Sequence, residues 1–536
     1  MSNAGILGQG EVVYAYHQRT KHAFEHYARG PGYLDWDTQP NPFRRFAGAP
    51  SVLLPLSAEG EPASYAELFQ PNQVLPRPLH RESLGVLLEL AFGLAAWKQY
   101  GSDRWALRCN PSSGNLHPTE AYAIVSGVKD LEAGVYHYVS HDHALEHRCR
   151  GDLPFQGLLV ALSSIHWREA WKYGERAFRY CQHDVGHALG TLRYAAAALG
   201  WRLRLLDDWS DEDIAGLLGL ERSGDFITTE AESPDLICLI ETTPGTQSAP
   251  SDELVNAARG GEWLGRANVL SAQHQQDWPA IEEVAEAARK PRTPPANWRP
   301  ELAASLLPTT CELRAAEIVK QRRSAQAFDG VTSIPARALF RVLDATLPRA
   351  NMPPFDAWPW QPRVHLLLFV HRVEGLKSGL YLFFRSAEAL DELRQSFRSD
   401  FAWEAVTGCP EHFKFYRLVQ ANAQKAAKTL SCHQDIAGDG AFSLGMLTEF
   451  DQALEEGPWV YRRLFWECGL IGQVLYLEAE AAGARGTGIG CFFDDPVHEL
   501  LGLAGTRFQS LYHFTVGGAL IDDRLETLPP YAHLQR

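Results

Sequence analysis

The sequence lacks an uninterrupted apolar run long enough to cross a bilayer; Leu84 to Trp97 is broken by Glu89 and reads as a buried helix. It has no basic-then-apolar N-terminal signal pattern, so the cytoplasm is the expected compartment. Positive charge is in deficit. Lys and Arg number 50 against 65 Asp and Glu, for a net charge of -15. A surface that negative repels phosphate backbones and argues against nucleic acid, so any phosphate ligand must be met by a local basic cluster. Cysteine pairing is absent too: the nine cysteines are scattered, odd in number and form no Cys-x-x-Cys. Reduced thiols are expected, with neither a disulfide framework nor a zinc site. What remains is a chain of 536 residues, 45% hydrophobic and 21% charged, an ordinary globular composition. That length exceeds one core and implies roughly two to four domains.

The most informative feature is an internal repeat. Gly186 to Leu220 matches Gly469 to Leu503 at a constant shift of 283 (469 − 186 = 283). Gly200 faces Gly483, Asp211 faces Asp494, and Leu217-Leu218-Gly219-Leu220 faces Leu500-Leu501-Gly502-Leu503. Each copy reads as an apolar helix, a turn, a short helix ending in Leu-Gly-Leu, and an apolar strand: Leu236 to Glu241 in one, Tyr512 to Val516 in the other. Upstream, the helical spacing of Leu84 to Leu88 recurs at Leu339 to Leu343. The strands Ala121 to Val125 and Val364 to Val370 follow, then the hairpin signals Gly134-Val135-Tyr136 and Gly379-Leu380-Tyr381. So long a period means two whole domains, not a solenoid. Residues 243–300 are rich in Pro, Ala and charge and read as a linker with a helix near 279–289.

Three short segments carry chemistry. Pro111-Ser112-Ser113-Gly114-Asn115 offers two hydroxyls and a carboxamide on a tight loop, suited to a heterocycle edge or a polyhydroxy chain; alone it is an ordinary turn. Arg322-Arg323-Ser324 suits a phosphate; alone it is a solvated helix end. Gly486-Thr487-Gly488 lets backbone N–H groups approach a flat ring, and it is no dinucleotide fingerprint because it follows a helix and precedes a strand. His141-Asp142-His143 sits in a hairpin loop with no third ligand nearby and reads as a solvated turn, so no metal is expected.

Together these segments resemble the nitroreductase family, in which an Arg-Arg-Ser, a Pro-Ser-x-x-Asn loop and a Gly-x-Gly contact flavin mononucleotide (FMN) at a dimer interface. The resemblance implies an α+β architecture of two fused nitroreductase-like domains, each a mainly antiparallel sheet flanked by helices, forming an intramolecular pseudo-dimer. The expected boundaries are 1–74 for an N-terminal extension, 75–245 for domain one, 246–300 for the linker and 301–536 for domain two. The two copies depart from the family pattern in complementary ways. The first keeps Pro111, Ser112, Ser113 and Asn115 but has Glu67-Leu68-Phe69 and Leu203-Arg204-Leu205 where the other two elements belong. The second keeps Arg322, Arg323, Ser324, Gly486, Thr487 and Gly488 but has Met352-Pro353-Pro354-Phe355-Asp356 near the place of the loop. One interface site therefore retains every element and its mate none, which implies one FMN per chain.

Lys172-Tyr173, followed by Asp184-Val185-Gly186-His187, resembles the catalytic Lys-Tyr segment of SagB-type dehydrogenases, as does the stretch from Tyr16-His17 to Pro42-Phe43. The second copy has Glu455-Glu456 at the matching positions. The plainer reading of Lys172 and Tyr173 is a surface lysine and a packing tyrosine. The resemblance implies two-electron oxidation of a peptide azoline or related heterocycle in natural-product biosynthesis, with Lys172 or Tyr173 as base and a pKa moved toward neutrality. It implies a peptide or small-molecule substrate, a cyclodehydratase or precursor-peptide partner, and an internal pseudo-dimer whose site needs no second chain. Arg524 resembles the family's C-terminal phosphate contact. The alternatives are an NAD(P)H-dependent nitro- or quinone reductase and a flavin-free scaffold subunit.

Overall fold

The computed structural model describes residues 3–243 and 250–534. The expected boundary between 245 and 246 lies outside the described residues. Helix α1, Asn3–Arg19, opens the chain. The first repeat then runs through α2 (Arg81–Phe92), the hairpin β1 (Leu94–Tyr100) and β2 (Asp103–Arg108), and strands β3 (Thr119–Ser126), β4 (Gly134–Val139), β5 (Ala144–Arg150) and β6 (Gly157–Ser164). Helices α3 (His166–Tyr173) and α4 (Ala177–Ala198), strand β7 (Arg202–Leu205), helix α5 (Asp211–Leu218) and strand β8 (Ser233–Glu241) complete it. Its main sheet has the order β5-β4-β3-β6-β8-β7 with antiparallel pairing throughout.

The helix expected near 279–289 is α6, Pro279–Ala287, which lies against α1. The linker is more than a spacer, because Glu262–Trp263 adds to the free edge of β5. The second repeat comprises α7 (Ala315–Gln321), α8 (Ala336–Ala345), β9 (Val364–Val370), β10 (Gly379–Phe384), β11 (Lys414–Gln420), β12 (Phe442–Glu449), α9 (Val460–Ala481), β13 (Arg485–Ile489), α10 (Asp494–Leu501) and β14 (Phe508–Gly517). Its sheet order, β11-β10-β9-β12-β14-β13, reproduces the first strand for strand, again antiparallel. The fold is α+β, two copies of one domain. The repeated glycines have a common cause. Gly219 and Gly502 end α5 and α10 at φ 69° and 78°, the left-handed cap that costs a β-carbon dearly.

Two central helices join the halves. All of α4 is buried, and α9 nearly so, as expected for helices with no solvent-facing side. They cross where the repeat aligns Gly186 with Gly469. A β-carbon on Gly186 would stand 2.2 Å from the Trp466 carbonyl, and one on Gly469 would stand 2.1 Å from that of His183. The pseudo-twofold axis thus passes through a backbone-to-backbone contact. A last strand, β15 (Glu526–Leu528), carries the tail of the second half back onto β1 of the first, with Leu528 opposite Trp97. Among the described residues, no helix is long and apolar enough to cross a membrane.

Candidate functional site

A cavity of about 1070 Å³ opens between the halves, at the upper end of the usual range for small-molecule sites. From the first half its wall includes Pro111, Ser112, Ser113, Gly114 and Asn115, and from the second Arg322, Arg323, Ser324, Thr487 and Gly488.

The Pro111 loop leaves β2 and is held from below by α4. The Ser113 backbone N–H donates to both oxygens of Asp184, at 3.1 and 3.2 Å, and the Ser113 hydroxyl adds a third bond at 3.2 Å. Gly114 has φ +59°, and a β-carbon there would meet the Tyr173 hydroxyl at 2.6 Å and Lys172 Nζ at 3.2 Å. Glycine is required on both counts, and the Lys172-Tyr173 pair at the end of α3 therefore abuts the loop directly. The Asn115 carboxamide donates to the Ala106 carbonyl at 2.9 Å and meets His117 Nε2 at 3.0 Å.

Across the cavity, Arg322 reaches from the end of α7 into the first half. It donates to the carbonyls of Cys109 at 3.0 Å and Arg108 at 3.2 Å, while its buried Nη1 has no partner. Arg323 donates to the Ala95 carbonyl at 2.9 Å. Ser324 bridges to Gly486, and its hydroxyl shares a 2.8 Å hydrogen bond with Tyr476. The Gly-x-Gly differs from its sequence reading: it lies within β13 rather than ahead of a strand. Tyr512 fills the place of a Gly488 side chain, where a β-carbon would stand 1.9 Å from the hydroxyl, and Phe514 fills that of Gly486 at 2.7 Å. These glycines are demanded by packing against their own domain, and Gly486 is not in the cavity wall.

The electrostatics divide the cavity in two. On one side Lys98, Arg323 and Arg485 converge. Burial and then Arg322 pull the Arg323 guanidinium down to about 10, and burial, Arg323 and Arg485 lower Lys98. This is a concentration of positive charge in an acidic protein, partly answered by Glu480, 3.1 Å from Arg485. Arg524 is elsewhere: 73% exposed at its side chain, paired with Asp522 at 2.7 Å, and outside the cavity wall. Arg485 and Lys98 line the cavity, and no motif singled them out.

On the other side are acids and phenols. Burial pushes the Asp184 carboxyl up to about 7. Burial, then Asp184, raises Glu169 on α3 well above the carboxylate range, and Glu169 Oε1 lies 3.5 Å from the Ser112 hydroxyl. Burial, then Glu169, raises Tyr173 well above 10, opposite to the shift toward neutrality expected for a base, so its phenol stays protonated. Because Asp184 favours its protonated form in the fold, the stability it contributes is full below its ordinary value near 3.8 and is lost as pH rises through about 7. In thermal melts Asp184→Asn should compare least favourably with wild type near pH 4 and gain on it steadily toward pH 7, with no further change above; a pH-independent gap would refute the assignment.

The pseudo-symmetric position is filled. Arg193, equivalent to the cavity residue Tyr476 (193 + 283 = 476), makes a two-pronged ion pair with Asp356 at 2.9 and 2.8 Å. Phe69 and Tyr194 pack edge to face beside it, with ring centroids 6.2 Å apart. The hairpin turn also differs from expectation. His533 from the tail joins His141 and Asp142 as a third potential ligand, and His143 is buried, not solvated. Arg45 holds the Asp142 carboxylate there, and the His533 ring bonds the His141 carbonyl at 2.8 Å.

No family model matches the chain. A Methanocaldococcus jannaschii protein named as a nitroreductase is 25% identical over 158 residues, covering 27% of this chain and 76% of that protein. The crystal structure of a protein from Anabaena variabilis, also named as a nitroreductase, matches with a TM-score of 0.68 at 21% identity over 95% of this chain and 99% of that one. One from Ralstonia eutropha covers 43% of this chain and 99% of its own, at 16% identity and a TM-score of 0.28. The nitroreductase-like fold thus extends over nearly the whole length.

Proposed function

We propose that this nitroreductase-like chain is an FMN-dependent oxidoreductase of SagB type, removing two electrons from a peptide azoline or related heterocycle at one interdomain site. The observation that carries this is the meeting of the Pro111 loop, Arg322-Arg323 and Tyr173 around one cavity, while the place equivalent to its wall residue Tyr476 holds the largely buried ion pair of Arg193 and Asp356. The residues fit the cofactor: the unpartnered Arg322 Nη1 and the crowded cations of Lys98, Arg323 and Arg485 call for an anionic, hydrogen-bonding ligand. Arg323, Arg485 and Lys98 would hold the phosphate. Ser112, Ser113, Asn115, Arg322 and Ser324 would meet the polar edge, Pro111, Thr487 and the backbone at Gly488 would complete the wall, and Gly486 would let Phe514 support it from behind. FMN bound there supplies a two-electron acceptor.

The chain's own part is proton management and water exclusion. Tyr173, a neutral phenol in a buried wall, is suited to donate a hydrogen bond to a heteroatom that gains negative charge. Lys172, which stands behind the wall with Nζ 5.4 Å from the Tyr173 ring centroid, would take the proton as the free amine in this reading. Asp184 and Glu169 keep the loop and α3 in register behind them. In this reading residues 75–245 and 301–536 form the two domains, and a cyclodehydratase and a precursor peptide are the partners.

Incubation of the purified, flavin-loaded protein with an azoline-bearing peptide and oxygen should remove two hydrogen atoms from the peptide, read by mass spectrometry. Rapid bleaching by NADPH without that product would favour a nitro- or quinone reductase, and protein that stays colourless after soaking with FMN a scaffold role. Arg485→Ala should weaken FMN binding about 10-fold or more, the cost of one charge-assisted hydrogen bond. Arg524→Ala should leave it within about twofold, since a screened surface pair contributes little. Fluorescence titration of the apoprotein with FMN measures both, and equal losses would refute this placement of the phosphate.

A further inference from the structure

Cys432 and Cys491, far apart in sequence, meet beside the cavity. Cys432 follows a short helix ending at Leu430, and Cys491 follows β13. Two hydrogen bonds clamp the segments together: the Phe493 N–H to the Leu430 carbonyl at 2.8 Å, and the Gln434 carboxamide to the Cys491 carbonyl at 3.0 Å. The two thiols hydrogen-bond to each other, and both residues are partly exposed, Cys491 in the cavity wall. Cys109, Cys149, Cys181, Cys238 and Cys468, by contrast, are buried.

The surroundings divide the labour between the two sulfurs. His22, from the N-terminal extension, accepts the Ala28 N–H on Nδ1 at 2.8 Å. Its proton is therefore on Nε2, the atom left to donate to the Cys491 sulfur, with which the ring hydrogen-bonds. Arg176 reaches the adjacent Gly490 carbonyl at 3.2 Å and adds positive charge. The hydrogen bond from Cys432, then His22 and Arg176, bring the Cys491 thiol down to about 5, while Cys432 is pushed up by the same contact and by burial. The contact and its surroundings favour the thiolate on Cys491 and the thiol on Cys432, the asymmetry that thiol–disulfide exchange uses.

We infer that Cys432 and Cys491 are a redox-active dithiol, oxidised by small-molecule disulfides such as oxidised glutathione. The Cys491 thiolate attacks one sulfur of the disulfide and expels one thiolate, leaving a mixed disulfide. Cys432 gives up its proton and attacks the Cys491 sulfur, expelling the second. The protein loses two electrons and closes one S–S bond; two molecules of the small thiol form. The reaction does not need flavin, so its failure and the failure of the proposed oxidoreductase activity are separable.

The test is differential alkylation of the full-length protein, read by peptide mass spectrometry. Equilibration with mixtures of oxidised and reduced glutathione, then quenching with N-ethylmaleimide, should yield one cross-linked peptide pair joining Cys432 to Cys491. In the reduced protein near pH 6, Cys491 should react with iodoacetamide at least about 10-fold faster than the partly exposed Cys311 and Cys409. Cys432→Ser should trap glutathione on Cys491, and His22→Gln should slow its alkylation. Separate alkylation of both cysteines at every glutathione ratio, or a Cys491 no faster than Cys311, would overturn the inference.

Discussion

Tyr173→Phe and Lys172→Ala should each lower kcat by roughly 10² to 10⁴ while the protein stays yellow, the range expected when a positioned proton-transfer group is removed. Both side chains abut Gly114 on the loop, yet neither is tied into the α4–α9 contact that holds the halves together. The fold and the flavin should therefore survive, and the loss should fall on turnover rather than on binding. Phenylalanine keeps the ring that packs on Tyr180, with centroids 4.7 Å apart, and removes only the hydroxyl. The measurement is single-turnover reduction of the bound flavin by substrate, with flavin content read by absorbance. Variants within about threefold of wild type would return the pair to the plainer role of surface lysine and packing tyrosine.

The second large effect is on folding. Gly186→Ala should destabilise the protein by about 3 kcal/mol, the upper end for overpacking, because its β-carbon would meet a carbonyl on the opposing backbone, which cannot rotate away. Gly469→Ala should do the same from the other side. The double variant should cost less than the sum, because both changes push the same two helices apart at one point. Denaturant melts followed by tryptophan fluorescence give the three values. A Gly186→Ala variant within about 0.5 kcal/mol of wild type would show that α4 and α9 are not in backbone contact.

Much of the fold was legible because a duplication states its own elements twice. The spacing of Leu84 to Leu88 and Leu339 to Leu343 gave α2 and α8, and Leu-Gly-Leu marked the ends of α5 and α10, where a left-handed residue favours glycine. The site was legible in its contiguous pieces, the Pro111 loop and Arg322-Arg323. It was not legible where single residues from distant elements converge. Asp184 is marked only as part of a resemblance, Glu169 and Tyr180 lie on helices with many polar residues where one more gives no signal, and Lys98 stands on a hairpin that pairs with the tail. Arg524 could not be placed from sequence, because a basic tail residue looks alike whether it faces a ligand or solvent; its side chain is exposed and pairs with Asp522, which lines the cavity.

The sequence by itself determined that there are two copies of one domain, and that chemistry-bearing residues survive in complementary sets, because repeats and short motifs are local patterns. Only the tertiary structure decided which pieces face one another. The Gly186–Gly469 crossing sets the pseudo-twofold axis and brings Arg322 of one half onto the Cys109 carbonyl of the other, while packing within each half sets Tyr173 against Gly114 and Cys432 beside Cys491. It decided the charge states as well. Whether a carboxyl or a phenol keeps its proton depends on the water that packing removes and on the charges it brings near, as where burial and then Glu169 raise Tyr173.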